Sequence, residues 1–394
     1  MSLSRKDILD FDLTKFPAVV YLAIVFFISR APFINLGFSA FTNPTDQDVL
    51  AVVNSAYLLR YHHVYTVSRF PGYPFFEIFN SLLITGGWVL TNAATVVVSL
   101  ISVVLFGKIL NIFGIKNKAL LLLTFAFIPV IWVNSTITMD YIWALMFILL
   151  ACFQIFTGKY CIAGIAIGLA IGSRFTSAFM VIPIVYWLAM EKVNEKKILD
   201  FISSAFVTSM LLFLPVFYTY KLEFLRGSGF LYTTPVRNLD TALDAARLAL
   251  SSMVTELFGI AAIVLLILFL ILNFRNKPPM QYRRLLFFCW ITLMIFLLLY
   301  FVFPYKVAYL IPAVPWGLIV LNEKLEKKFT IIVCILLLLN NFISIEVAVA
   351  DGAHAIELNP GVVVKNYEDR KAASIEQSRE YMKSLSDIFN GRAI

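Results

Sequence analysis

From Phe16 to Leu36 the chain carries one charged side chain, Arg30, and apolar stretches of this kind recur as far as residue 345. Backbone N–H and C=O groups cannot be hydrated inside lipid, so such stretches must satisfy them internally as helices. A bilayer core of about 30 Å takes roughly 20 apolar residues per helix. On that measure spans are expected near 16–36, 90–112, 119–135, 137–156, 160–173, 175–190, 200–218, 253–273, 285–303, 308–321 and 329–345. The expected fold is therefore an all-α polytopic membrane protein of about 11 transmembrane helices. Composition agrees: 60% of residues are hydrophobic and 14% charged, against about 25% charged in soluble domains. A soluble enzyme, a disordered chain and a coiled coil are excluded. The first apolar run is too long for a cleavable signal peptide and lacks a small-residue cleavage site. Cys152, Cys161, Cys289 and Cys334 all lie in apolar runs, so they read as packing residues and not as a disulfide scaffold or metal site.

The net charge of +8 comes with no basic stripe interleaved with aromatics, so nucleic acid is not an expected partner. In a membrane chain the distribution of Lys and Arg sets topology. Basic clusters at Lys116/Lys118, Lys192/Lys196/Lys197, Arg283/Arg284 and Lys324/Lys327/Lys328 fall in alternate short connections. Their segregation predicts N-in, C-out. The three long segments, about 37–89, 219–252 and 346–394, then all fall on the outer side, where any chemistry is expected. This divides the chain into a transmembrane domain, 1–345, and an extracytoplasmic tail or small cap, 346–394. In the first outer loop Val49, Leu50, Val53, Ala56 and Tyr57 recur at helical spacing, predicting an amphipathic helix over Gln47–Arg60. Phe70–Thr85, begun by Pro71 and Pro74, reads as a second, and Ala372–Phe389 as a helix in the tail.

Ionisable groups at or inside a membrane are costly and mark function by default. Asp46 and Asp48 stand where the first amphipathic helix begins. One Asp suffices to cap a helix; a pair at the mouth of a bundle exceeds that need. In Ser68-Arg69-Phe70-Pro71-Gly72-Tyr73-Pro74 the prolines and glycine read as a rigid turn. The turn presents Arg69, whose guanidinium suits phosphate or carboxylate, and Glu77 follows. Asp140 precedes the fourth span, Arg174 sits between two spans with almost no loop, and Lys306 lies beside Tyr309. Arg226 and Arg237 flank a Gly-containing loop that reads as a lid, while Arg247 reads as solvated. Adjacent His62 and His63 point about 100° apart on a helix and do not form an i,i+4 metal pair. A divalent cation at Asp46 and Asp48 would rest on two carboxylates alone. The expected site is an outer cavity with carboxylates on one wall and cations on the other, suited to an anionic lipid-linked substrate.

At these residues the sequence resembles the GT-C superfamily of integral-membrane glycosyltransferases, notably the dolichyl-phosphate-mannose protein mannosyltransferases and the lipid A aminoarabinose transferase. The resemblance rests on Asp46-Gln47-Asp48-Val49-Leu50, Arg69-Phe70-Pro71-Gly72-Tyr73-Pro74, Asp140, Gly168-Leu169-Ala170-Ile171-Gly172-Ser173-Arg174 and Lys306-Val307-Ala308-Tyr309-Leu310-Ile311-Pro312. It implies a GT-C-like bundle, a polyprenyl-phosphate sugar donor, inversion at the anomeric carbon and no required cofactor or metal. It also implies a catalytic base in the first outer loop, here Asp48 first and Asp46 second. Arg69, Arg174, Lys306 and Arg226 would hold the donor phosphate, with Asp140, Glu77, Tyr73 and Tyr309 as further site candidates. Gln47 separates the two acids, where the protein mannosyltransferases have an adjacent Asp-Glu pair. The expected partners are the donor, membrane lipids and a lipid, glycan or protein acceptor. The expected location is a cell membrane, prokaryotic before endoplasmic reticulum. A transporter or flippase of an anionic or lipid-linked solute is the rival reading. It predicts inverted repeats, and none is visible.

Overall fold

The computed structural model describes residues 16–38, 47–221, 223, 239–259, 261–262, 264–265, 282–304, 306–350 and 353–390. Helix α1 (Phe16–Ile34) leads into a loop region holding α2 (Gln47–His62) and α3 (Pro74–Leu83). The bundle follows as α4 (Gly87–Ile112), α5 (Lys118–Phe127), α6 (Pro129–Asn134), α7 (Tyr141–Phe156), α8 (Tyr160–Ser173), α9 (Val181–Met190) and α10 (Glu195–Tyr220). Then come α11 (Leu239–Ser252), α12 (Arg283–Val302), α13 (Val314–Lys324) and α14 (Lys327–Leu339). Two strands, β1 (Ile343–Ala350) and β2 (Ala353–Pro360), pair antiparallel with Ile343 opposite Pro360, and α15 (Val362–Asn390) ends the described chain.

Among the described residues three helical stretches, Pro74–Ile112, Glu195–Tyr220 and Arg283–Val302, are long and apolar enough to cross a membrane by themselves. Ile28, Leu199, Phe206, Leu211 and Leu298 stand exposed on the helices. A surface of this kind suits acyl chains and not water.

Most expected spans correspond to helices, with local differences that have physical causes. The run 119–135 is broken after Phe127 because Pro129 has no N–H to donate and its ring crowds the carbonyl four residues back. The helix expected from 137 begins at Tyr141; residues 134–140 are instead a buried polar connection. The expected helix to 345 stops at Leu339, and the chain turns into the β-hairpin. The span expected over 253–273 begins as a π-helical stretch, Met253–Phe258, and from residue 266 onward lies outside the described residues. The tail helix expected over Ala372–Phe389 is part of the longer α15, whose Val363 and Leu385 join the main core.

Two arginines, Arg30 and Arg370, are buried with no carboxylate partner among the described residues. Arg30 of α1 donates to Ser135 Oγ and to the Ala126 carbonyl, and lies over the rings of Phe26, Phe127 and Trp132. Arg370 of α15 donates to the carbonyls of Phe33, Gly37 and Thr136. Carbonyls at helix ends lack intrahelical donors and carry partial negative charge, which suits a guanidinium.

Candidate functional site

The turn at 68–74 is held from beneath. Glu77, fully buried on α3, accepts hydrogen bonds from the Ser68 N–H (2.7 Å), Ser68 Oγ (2.6 Å) and Tyr65 Oη (2.6 Å). Gly72 closes the turn with its N–H on the Arg69 carbonyl (2.7 Å) at a φ of +103°, a value that a side chain would strain. The Phe70–Pro71 bond is cis. Glu77 therefore shapes the turn and does not face the other candidate residues.

Arg69, projected by that turn, bridges two carboxylates. Its Nη1 lies 3.1 Å from Asp48 Oδ2 and its Nη2 2.7 Å from Asp140 Oδ1. Asp140 Oδ2 pairs in turn with Arg174 Nη1 at 2.7 Å, and Asp48 Oδ2 with Lys306 Nζ at 2.7 Å. The result, among the described residues, is a chain of alternating charge, Lys306–Asp48–Arg69–Asp140–Arg174, three cations to two carboxylates. Its two ends differ: the Asp140 side chain is wholly buried, whereas about 30% of the Asp48 and Lys306 side chains is accessible. An incoming anion meets the Asp48–Lys306 end first. Burial pushes the Asp48 carboxyl upward, but Arg69 and Lys306 outweigh it and hold the group below its ordinary range.

The local fold explains each placement. Asp48 lies in the first turn of α2, and Lys306 directly precedes the 3₁₀ turn Val307–Ala313. Asp140 occupies the N-cap position of α7 yet makes no capping hydrogen bond, because both of its oxygens are taken by arginines. Arg174 is the extended residue (φ −157°) that breaks α8 from the following 3₁₀ turn. Its buried position depends on α8 approaching α10 closely. A Cβ on Gly164 would strike Ser204 and the Phe201 carbonyl, and one on Gly168 or Gly172 would lie 2.5 Å from Thr208 or Leu212. Small residues repeated every fourth position allow such an approach.

Tyrosines wall the cluster. The Arg69 guanidinium stacks over Tyr73 at 4.6 Å, and that of Arg174 over Tyr141 at 4.2 Å and Tyr309 at 4.8 Å. Asp48, Arg69, Tyr73, Asp140, Arg174, Lys306 and Tyr309, all singled out from the sequence, thus meet. Asp46 and Arg226 lie outside the described residues, as does Arg237; Arg247 is exposed on α11. Tyr141 was missed, since an aromatic at a helix start reads as an ordinary interface residue. Its hydroxyl and Arg69 Nε are buried with no hydrogen-bond partner among the described residues, and both belong to the charged chain's surroundings. Among the described residues no group of three or more His, Cys, Asp and Glu side chains converges.

Neither a curated protein nor a solved structure matches the chain. A family model does: residues 71–219 match that of the dolichyl-phosphate-mannose-protein mannosyltransferases. The matched segment contains Tyr73, Asp140, Tyr141 and Arg174, while Asp48, Arg69 and Lys306 flank it. Over residues 71–219, less than half of its length, the chain is therefore similar to the dolichyl-phosphate-mannose-protein mannosyltransferases.

Proposed function

We propose that this protein transfers a sugar from a polyprenyl-phosphate donor to a hydroxyl of a lipid, glycan or protein on the outer face of the membrane, with inversion. The charged chain is the observation that carries this reading: among the described residues it gathers three cations around two carboxylates, with one end accessible, and a polyprenyl-phosphate sugar is an anionic phosphodiester. Arg69, Arg174 and Lys306 hold the phosphate and stabilise the charge it gains as leaving group. Asp48 takes the proton of the acceptor hydroxyl as that oxygen attacks the anomeric carbon and the bond to phosphate oxygen breaks. A carboxylate with a depressed pKa is a weak base. When the phosphate draws Lys306 and Arg69 toward itself, Asp48 loses its counter-ions and becomes the stronger base that the step needs. Asp140 orients the two arginines. No metal is needed in this scheme, because side-chain cations do the work on the phosphate.

In this reading the first isoprene units of the tail enter an apolar cavity. It has a volume of about 220 Å³ and is lined by Leu293, Leu297, Leu310, Ala313 and Gly317 among others. Two of its lining residues, Leu310 and Ala313, belong to the 3₁₀ turn that follows Lys306.

The test is transfer by the purified, membrane-reconstituted protein from a panel of polyprenyl-phosphate sugars, mannose included. Asp48→Asn is expected to lower kcat by about 10²–10⁴-fold, with donor binding changed only a few-fold. An Asp48→Asn protein that keeps full transfer would remove the mechanism. Translocation of labelled lipid across vesicles without sugar transfer would replace the enzyme by a transporter.

A further inference from the structure

Helix α15 lies beyond the segment matched by the family model, yet it touches the backbone next to both carboxylates of the charged chain. Tyr381 Oη donates to the Leu50 carbonyl at 3.1 Å, two residues beyond Asp48 in the same turn of α2. Ser378 Oγ accepts from the Phe38 N–H at 3.1 Å, four residues past the end of α1. Arg370, 2% exposed, reaches Thr136 Oγ1 (3.0 Å) and its carbonyl (3.1 Å), four residues before Asp140. The same guanidinium reaches the carbonyls of Phe33 (2.9 Å) and Gly37 (3.3 Å), where α1 ends. One helix thus joins the end of α1, the start of α2 and the connection carrying Asp140.

We infer that α15 is a positioning element, in which Arg370 and Tyr381 set the spacing between the Asp48 and Asp140 backbones. The reason is geometric. Asp48 and Asp140 share Arg69, whose two terminal nitrogens must span from one carboxylate to the other. The Asp140 side is already fastened to the bundle, with Thr138 bonded to Thr91 (2.6 Å) and Asn92 (3.0 Å). Tyr381 fastens the start of α2 from the α15 side. Misplacement by about an ångström costs on the order of 10²-fold in a catalysed step. The effect on turnover rests on the glycosyl-transfer reading above, whereas the positioning itself does not.

Hydrogen exchange on the full-length protein in nanodiscs, with wild type, Tyr381→Phe, Arg370→Gln and Arg370→Lys, tests it. Tyr381→Phe is expected to raise exchange about five- to ten-fold in peptides covering 47–58, and Arg370→Gln likewise in those covering 134–140. The interiors of α4 and α7 should stay unchanged, and Arg370→Lys should fall between wild type and Gln. Unchanged local exchange, or a rise spread equally through α4 and α7, would overturn the inference. In parallel, transfer from polyprenyl-phosphate mannose is expected to lose at least ten-fold in kcat at a donor KM within two-fold of wild type. If wild type transfers sugar and both Tyr381→Phe and Arg370→Gln keep its kcat, the inference also fails. If wild type transfers nothing from any donor, the glycosyl-transfer reading fails, and the exchange data still decide the positioning.

Discussion

Asp48 and Asp140 bear the same charge in different surroundings, and the surroundings separate their roles. Asp140 is fully buried between two guanidiniums, while Asp48 is reached by solvent. Removing one partner of a buried pair leaves the other charge uncompensated, at about 3–5 kcal/mol; partly exposed pairs contribute about 0–1 kcal/mol. Asp140→Asn is therefore expected to lower stability by about 3–5 kcal/mol, read as a large fall in the thermal midpoint in detergent, and to abolish turnover. Asp48→Asn should leave the midpoint nearly unchanged while turnover is lost. Equal midpoint losses in the two variants would contradict the assignment. The importance of both acids was legible in the sequence, because a carboxylate beside an apolar run is costly wherever the chain folds. Glu77 shows the limit: the same cost argument made it a candidate, but three hydrogen bonds from Tyr65 and Ser68 turn it into a brace for the turn.

At the scale of elements, α8 places Arg174 by packing closely on α10. Bulk at the contact must push the helices apart, so Gly168→Leu is expected to cost about 1–3 kcal/mol and to weaken transfer by shifting Arg174. Gly317 on α13 is the matched control. A Cβ there would meet Leu293 at an ordinary 3.5 Å, so Gly317→Ala should be neutral or stabilising by up to about 1 kcal/mol. Thermal midpoints of the two variants, measured side by side, check this; a harmless Gly168→Leu would show that the contact is loose. Element positions followed well from apolar run length. The departures came where a polar or proline residue interrupts a run: the break at Pro129, and the connection 135–140, where Ser135 and Thr136 bond back to carbonyls of α6 and Thr138 bonds to Thr91 and Asn92 of α4. Run length does not report those partners.

At the scale of the whole molecule, the charged chain and the apolar cavity belong to one assembly, since the 3₁₀ turn after Lys306 borders both. Gly317→Leu, which fills the cavity, is expected to raise KM several-fold for long-chain donors and leave it unchanged for a donor with a single isoprene unit. Equal KM values for the two donors would dissociate the cavity from donor binding. The sequence by itself determined that this chain lives in lipid and which of its few charges would be out of place there, because the cost of burying a charge is a property of the side chain and its neighbours along the chain. Only the tertiary structure decided which charges meet. Lys306 and Asp48 are 258 positions apart, and Arg370 reaches Phe33 across 337. No local pattern encodes such contacts; they follow from how the helices pack and where their ends leave carbonyls and carboxylates in need of a partner.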